Sequence, residues 1–199
     1  MEIVFASNNI YKLNEIKDIL DDSFSLLSLS DIGMNEEIPE NEMSLEGNAL
    51  SKARHIFDAT GLTVFADDTG LEVDALGGLP GVYSARFAGE SKDFDSNIEK
   101  LLLMLGDTLN RKARFRTVIA LIHQGREYLF EGEIKGIIIK EKRGAAGFGY
   151  DPVFVPEGRN ITFAEMEPGE KNSISHRALA FKKLKSFLSG MSGIQNESS

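Results

Sequence analysis

Two adjacent carboxylates, Asp67 and Asp68, are followed at once by Thr69 and Gly70. They come after Thr63-Val64-Phe65-Ala66, a run β-branched and aromatic enough for a buried strand. The spacing predicts that at least one carboxylate emerges at a strand end, where open α/β sheets bind their ligands. Neighbouring carboxylates raise each other's cost of ionisation unless a cation lies close. An oxygen-seeking ion such as Mg²⁺, which keeps several of its waters, is the common solution. Asp-Asp-x-Gly is also ordinary turn chemistry. Taken alone, the pair therefore leaves a metal site and a solvated turn both open.

Cations occur where helix dipoles disfavour them. Lys12 falls in the first turn of a helix predicted from Tyr11 to about Leu20, and Ser7-Asn8-Asn9 forms the turn between that helix and a strand over Glu2 to Ala6. Backbone N–H groups at such a helix start, with the Ser7 and Asn9 side chains, could cradle phosphate oxygens while Lys12 supplies a point charge. Helix capping by Ser or Asn is the plainer use of the same residues. No GxxxxGK[ST] loop occurs in the chain. Ser175-His176-Arg177, with Lys171 before it, places cations at the start of a last helix predicted from Ser173 to Leu188; an anion or a carbonyl-rich base docked there would remove the conflict. In Arg143 to Gly149, RGAAGFG, the glycines allow close backbone approach, and Phe148 or Tyr150 could stack on a flat ligand or simply fill the core.

The elements that must position these groups alternate strand and helix. A helix from Ser44 to about Ala59, closed by Gly61, carries Lys52 and Arg54. The preceding acidic loop from Asn35, with Glu36, Glu37, Glu40 and Glu42, reads as solvated surface. Phe24 to Leu29 and Leu71-Glu72-Val73 read as short strands, and Gly77 to Gly81 as a long flexible segment. An amphipathic helix is predicted from Phe94 to Leu105. Strands over Ala113 to His123 and Glu127 to about Lys140 meet in a hairpin at Gln124-Gly125. With 199 residues, 42% of them hydrophobic, the chain can bury one substantial core, assigned to a single domain over residues 1–188. The polar end, Ser189 to Ser199, is expected to be a disordered tail. A net charge of −9 argues against a nucleic-acid polymer as partner. The lack of cysteine excludes disulfides, thiolate metal sites and a cysteine nucleophile. No apolar run reaches membrane-spanning length, so no membrane partner is expected, and the reading is of a soluble cytoplasmic protein.

In order along the chain, Ser7-Asn8-Asn9-Ile10-Tyr11-Lys12, Glu46-Gly47-Asn48-Ala49 with Lys52-Ala53-Arg54, Ala66-Asp67-Asp68-Thr69-Gly70-Leu71, Gly81-Val82-Tyr83-Ser84-Ala85-Arg86, Gly147-Phe148-Gly149-Tyr150-Asp151-Pro152 and Ser175-His176-Arg177 resemble the Ham1 family of inosine triphosphate pyrophosphatases. The likeness runs from Ile3 to about Leu188. It implies an α/β fold with a long central mixed β-sheet and flanking helices, two lobes around an active-site cleft, and a homodimer. It also implies Mg²⁺-dependent hydrolysis of ITP, dITP and XTP, non-standard purine nucleoside triphosphates, to the monophosphate and pyrophosphate. By resemblance Asp68 is the catalytic carboxylate and a metal ligand, and Glu40 the second metal carboxylate. Ser7, Asn8, Asn9, Ile10, Tyr11, Lys12, Lys52 and Thr69 match the triphosphate side. Phe148, Gly149, Tyr150, Asp151, Lys171, His176 and Arg177 match the base and sugar side. Asn8 departs from the pattern, many relatives having glycine there. A Maf-type pyrophosphatase and a nucleotide sensor without turnover are the competing readings. A dehalogenase-like phosphatase would need its aspartates two apart.

Overall fold

The computed structural model describes residues 2–19, 24–34 and 38–196. Its strands are β1 (Glu2–Phe5), β2 (Ser25–Leu27), β3 (Val64–Val73), β4 (Pro80–Gly81), β5 (Lys112–His123), β6 (Arg126–Ile138) and β7 (Phe154–Pro156). Its helices are α1 (Ile10–Ile19), α2 (Leu45–Thr60), α3 (Phe94–Leu105), α4 (Pro168–Ile174) and α5 (His176–Asn196). The strands form one mixed sheet in the order β2-β1-β3-β5-β6-β7, with β4 also paired to β3. β1 is parallel to β2 and β3, whereas β4 is antiparallel to β3 and β7 to β6. The α/β class and the mixed sheet are as expected.

The chain divides into two compact units. The first comprises Met1–Asp68, Val118–Gly132 and Arg177–Ser199. Its core holds Ile3, Phe5, Ile16, Phe65, Ile119, Leu121, Phe181 and Leu184, with the Phe5 and Phe65 rings stacked 4.8 Å apart. The second comprises Thr69–Thr117 and Glu133–His176, with a core around Leu71, Val73, Ile98, Leu101, Phe115, Phe154 and Phe163. β5 shows the difference in its burial. Ala113, Phe115 and Thr117 turn inward and Arg114 and Arg116 are partly exposed, whereas the run from Val118 to Ile122 is buried throughout. Alternation marks a strand with one wet face, and a continuous buried run marks one covered on both.

Several expectations are corrected. Asp67 and Asp68 do not end a strand: β3 runs unbroken from Val64 to Val73, because buried side-chain partners compensate both carboxylates and the ladder need not stop for them. The segment from Gly77 to Gly81 is not a flexible loop. Gly77 closes a 3-10 turn in the left-handed region at φ 62°, and Pro80-Gly81 pairs with Leu71 and Glu72. Ser84 then locks the return, its Oγ accepting from Leu71 N at 2.9 Å and donating to Gly81 O at 2.6 Å. The strand expected from Phe24 to Leu29 shortens to Ser25–Leu27. The last helix is two helices, broken where Ser175 adopts an extended ψ of 153°, which leaves His176 and Arg177 as the first residues of α5. α5 extends to Asn196, into the polar segment read from Ser189 as a tail. The last residues of that tail, 197–199, with Leu20 of the first helix and Asn35, Glu36 and Glu37 of the acidic loop, lie outside the described residues.

Candidate active site

In the first unit, β1 stops at Phe5 and β3 carries on. Ala6 N still donates to Phe65 O at 2.8 Å, so Asp67 and Asp68 lie just beyond the carboxyl end of β1, beside the start of α1. Successive strand residues point to opposite faces. The two carboxylates therefore serve different helices. Asp68 turns to α2, where Asn48 and Lys52 stand four residues apart on one helical face. Its Oδ2 accepts from Asn48 Nδ2 at 3.0 Å, and its Oδ1 lies 3.8 Å from Lys52 Nζ. Lys52 Nζ also donates to Glu40 Oε1 at 2.6 Å and to the Asp67 carbonyl at 2.7 Å. Burial pushes the Lys52 pKa down, but Asp68, Glu40 and Asp67 together outweigh it and raise the pKa. Burial pushes the Asp68 carboxyl above the ordinary aspartate range despite Lys52 and Lys12. Burial works on Glu40 the same way, but there Lys52 prevails and the pKa is lowered.

The loop bearing Glu40 is fixed from the sequence upward. Ser44 Oγ caps α2 by accepting from Gly47 N at 3.0 Å. A Cβ at Gly47 would come within 2.8 Å of Glu42 Cβ, so only glycine lets the loop lie against the first turn of the helix. Asn48 Oδ1 then accepts from Glu42 N at 2.9 Å. Glu40 is thus held close to Lys52 and is no freely solvated surface acid.

On the other face, Asp67 Oδ1 accepts from Lys12 Nζ at 3.0 Å, and Asp67 Oδ2 lies 3.6 Å from Arg177 Nε. Arg177 Nη1 donates to Glu15 Oε2 on α1. Burial would raise the Asp67 pKa, yet Lys12, Arg177 and Lys52 outweigh it and hold the carboxyl down to about 2. Lys12 is lowered, because its burial outweighs the pull of Asp67. Asn9 caps α1, its Oδ1 accepting from Tyr11 N at 3.0 Å and Lys12 N at 3.2 Å, while Ser7 Oγ accepts from Asn9 N. Those N–H groups are satisfied within the chain, so the expected phosphate cradle is first of all a helix cap. Ile10 and Tyr11 are exposed beside it.

The second unit carries another cluster. Asp151 Oδ2 accepts from Lys171 Nζ at 2.8 Å and from Phe148 N at 2.9 Å. Gly147 has φ 79°, and a Cβ there would fall 2.2 Å from the same oxygen. Lys171 Nζ stands 5.0 Å from the centre of the Phe148 ring, a cation–π distance. Phe148 rests half-buried against Phe94, 6.2 Å between ring centres, and Gly149 follows at φ 62°. Tyr150 is buried, 4% exposed, and its hydroxyl donates to Ser84 O at 2.9 Å. His176 is buried with its ring stacked on Phe115 at 4.7 Å. Thr69 and Thr117 share a hydroxyl hydrogen bond of 2.7 Å.

The expected site residues thus form two groups. Ser7 to Lys12, Glu40, Lys52, Asp68 and Arg177 belong to the first unit, and Thr69, Phe148 to Asp151, Lys171 and His176 to the second. Arg177, matched by resemblance to the base side, is buried beside Asp67 and Glu15. Of the residues that build the site, Glu15 is not singled out by the sequence, Asn48 appears there only within a motif, and Asp67 stands out only as one of the adjacent carboxylate pair. The signal for Asn48 was its position four residues before Lys52, and that for Glu15 its position three after Lys12. Among the described residues no three His, Asp or Glu side chains converge as a ready metal cage. Glu40 and Asp68, on either side of Lys52, do fit Mg²⁺, which takes one or two protein carboxylates and completes its shell with water and phosphate oxygens.

The model of the family described as "Ham1 family" matches residues 3–187. The dITP/XTP pyrophosphatase of Porphyromonas gingivalis is 53% identical over 188 residues, 94% of this chain and 97% of that protein. The dITP/XTP pyrophosphatase of Bacillus subtilis is 46% identical over 191 residues, 94% of this chain and 96% of that protein. The solved Ham1 protein of Staphylococcus aureus superposes with a TM-score of 0.88 at 42% identity, covering 96% of this chain and all of the other. A HAM1 protein from Coxiella burnetii gives 0.89 at 38% identity, covering 96% of this chain and 99% of the other.

Proposed function

The chain belongs to the Ham1 family, and we propose on that basis that it hydrolyses ITP, dITP and XTP to the monophosphate and pyrophosphate, with Mg²⁺ as cofactor. It is a nucleoside triphosphate pyrophosphatase like the relatives it matches along nearly its whole length. The observation that carries the reading is the Lys52 ammonium, held between Glu40, Asp68 and the Asp67 carbonyl, with Lys12 on the opposite face of the same strand segment. Lysines and carboxylates interleaved in this way suit the binding of a polyanion together with a divalent cation.

The reaction forms a bond from a water oxygen to the α-phosphorus and breaks the bond from that phosphorus to the α–β bridging oxygen. Pyrophosphate leaves with the bridging oxygen and its negative charge. Lys12 and Lys52 would neutralise the β- and γ-phosphates as that charge develops, a task of position and field. Glu40 and Asp68 would hold Mg²⁺, which when bound supplies further charge neutralisation. Asp68 would orient the water and accept its proton. Phe148, with the Lys171–Asp151 pair behind it, offers a flat face and fixed polar groups for the purine. Hypoxanthine and xanthine present an oxygen at C6 where adenine has an amino group, and a site that donates to that oxygen can reject the amine by ~10⁴-fold. The family resemblance supports a homodimer, which light scattering would refute by returning the mass of one 21.9 kDa chain. A chain without cysteine suits the reducing cytoplasm.

Pyrophosphate release from ITP, dITP, XTP, GTP, ATP and dTTP, each with Mg²⁺ and with a chelator, tests the proposal. Fast metal-dependent turnover of the first three and slow turnover of the rest is the expected result. Equal rates on all six, or turnover unaffected by the chelator, would overturn it.

A further inference from the structure

Glu15 takes no part in the chemistry just described, yet it lies one helical turn beyond Lys12 on α1 and accepts from Arg177 Nη1. Four charges of alternating sign are linked in this way: Lys12 to Asp67, Asp67 to Arg177, Arg177 to Glu15. The links are unequal. Lys12 sits on Asp67 Oδ1 at hydrogen-bond distance, 3.0 Å, while Arg177 Nε stops at 3.6 Å from Oδ2. A guanidinium next to a carboxylate ordinarily closes to a bidentate pair. Here the guanidinium is 1% exposed and is drawn the other way, toward Glu15.

We propose that Glu15 is a positioning residue for the hydrolytic reaction. By holding Arg177 off Asp67 it reserves Asp67 for Lys12, and so fixes where the Lys12 ammonium stands for the triphosphate. The inference rests on the reading that Lys12 meets the phosphates. Neutralising Glu15 weakens the pull that keeps Arg177 away from Asp67. Arg177 closes on Asp67, and Lys12 loses its anchor while the cluster gains net positive charge. A more positive but looser site binds a polyanion no worse and holds it less well for reaction. The signature is a fall in kcat without a rise in KM.

Glu15→Gln, Glu15→Asp, Arg177→Gln and the double variant Glu15→Gln/Arg177→Gln would be assayed for pyrophosphate release from ITP beside the wild-type protein. Glu15→Gln should lower kcat by about tenfold with KM unchanged or lower, and Glu15→Asp should recover most of the loss; since Glu15 acts through Arg177, the double variant should be no slower than Arg177→Gln alone. Independent, multiplying losses would overturn the proposal, as would a Glu15→Gln enzyme that loses thermal stability but keeps wild-type kcat. If Glu15→Gln fails to fold, Glu15→Asp carries the same comparison, its shorter arm giving a smaller kcat loss that vanishes in the Arg177→Gln background. Wild-type protein inert toward ITP would sink the functional reading and leave this one open to a second measurement, calorimetric binding of inorganic tripolyphosphate. There Glu15→Gln should bind a few-fold more tightly, and only when Arg177 is present; affinity equal to wild type overturns the positioning role.

Discussion

Asp68→Asn should reduce kcat for ITP by roughly 10³-fold while leaving the protein folded, since one substitution removes a metal carboxylate and the group that orients the water. The same charge is a burden to the fold. Burial raises the Asp68 pKa above the usual 3.8, so the folded state holds that proton more tightly than the unfolded chain does. Its contribution to stability is present at low pH and is lost as pH rises through the folded value. Asparagine at that position carries no such penalty and can still receive the Asn48 hydrogen bond. The variant takes one counter-charge from Lys52 but leaves it Glu40 and the Asp67 carbonyl, so without metal it should melt close to wild type at neutral pH, which separates lost chemistry from lost structure. The acid limb of kcat/KM should stand above the ordinary aspartate range and move to lower pH as Mg²⁺ is raised, because the metal competes with the proton. Near-normal turnover of Asp68→Asn at saturating Mg²⁺ would remove Asp68 from the mechanism.

The second large effect is on stability and activity together. Lys52→Met keeps the aliphatic bulk and deletes the cation shared by Glu40, Asp68 and the Asp67 carbonyl. Removing one partner of a buried ionic group costs about 3–5 kcal/mol, because the remaining charge stays buried without compensation. Glu40 is 28% exposed and will find water, so the lower end, about 3 kcal/mol, is the expected loss in urea unfolding. That is a large fraction of a typical domain's roughly 5–15 kcal/mol. Mg²⁺ should restore part of this loss by putting a cation back between the carboxylates, while pyrophosphate release stays low. A destabilisation under about 1 kcal/mol, or no response to Mg²⁺, would show that Lys52 is not the hub of the cluster.

Much of the fold could be read from local chemistry. Ser44 and Gly61 mark the ends of α2 to the residue, because a side-chain cap and a left-handed glycine act within one turn. The hairpin at Gln124-Gly125, with φ 51° and 74°, was equally local. What local chemistry could not convey was compensation over distance. Asp67 and Asp68 look like a strand's end until Lys12, Asn48, Lys52 and Arg177 arrive from three helices to make their burial tolerable. For Tyr150 the sequence leaves stacking and core both open, and the partner of its hydroxyl, the Ser84 carbonyl, lies far away in sequence. Glu40 looked like one solvated acid among several, since nothing near it in sequence announces the Lys52 ammonium that holds it. Lys12 was the opposite case. Its conflict with the helix dipole pointed to a phosphate ligand, and the structure adds an anion within the chain, Asp67, on the same ammonium.

The two-residue repeat of β3 also sets what kind of change this gene can survive. Asp67 and Asp68 differ in environment only because consecutive strand residues face opposite ways, one toward α1 and α5 and the other toward α2. A change of letter in Val64 or Phe65 would trade some packing and leave both acids where they are. Losing or gaining a single codon there would turn each acid to the wrong helix at once, whatever its identity. The segment should therefore tolerate substitution far better than a one-residue insertion or deletion.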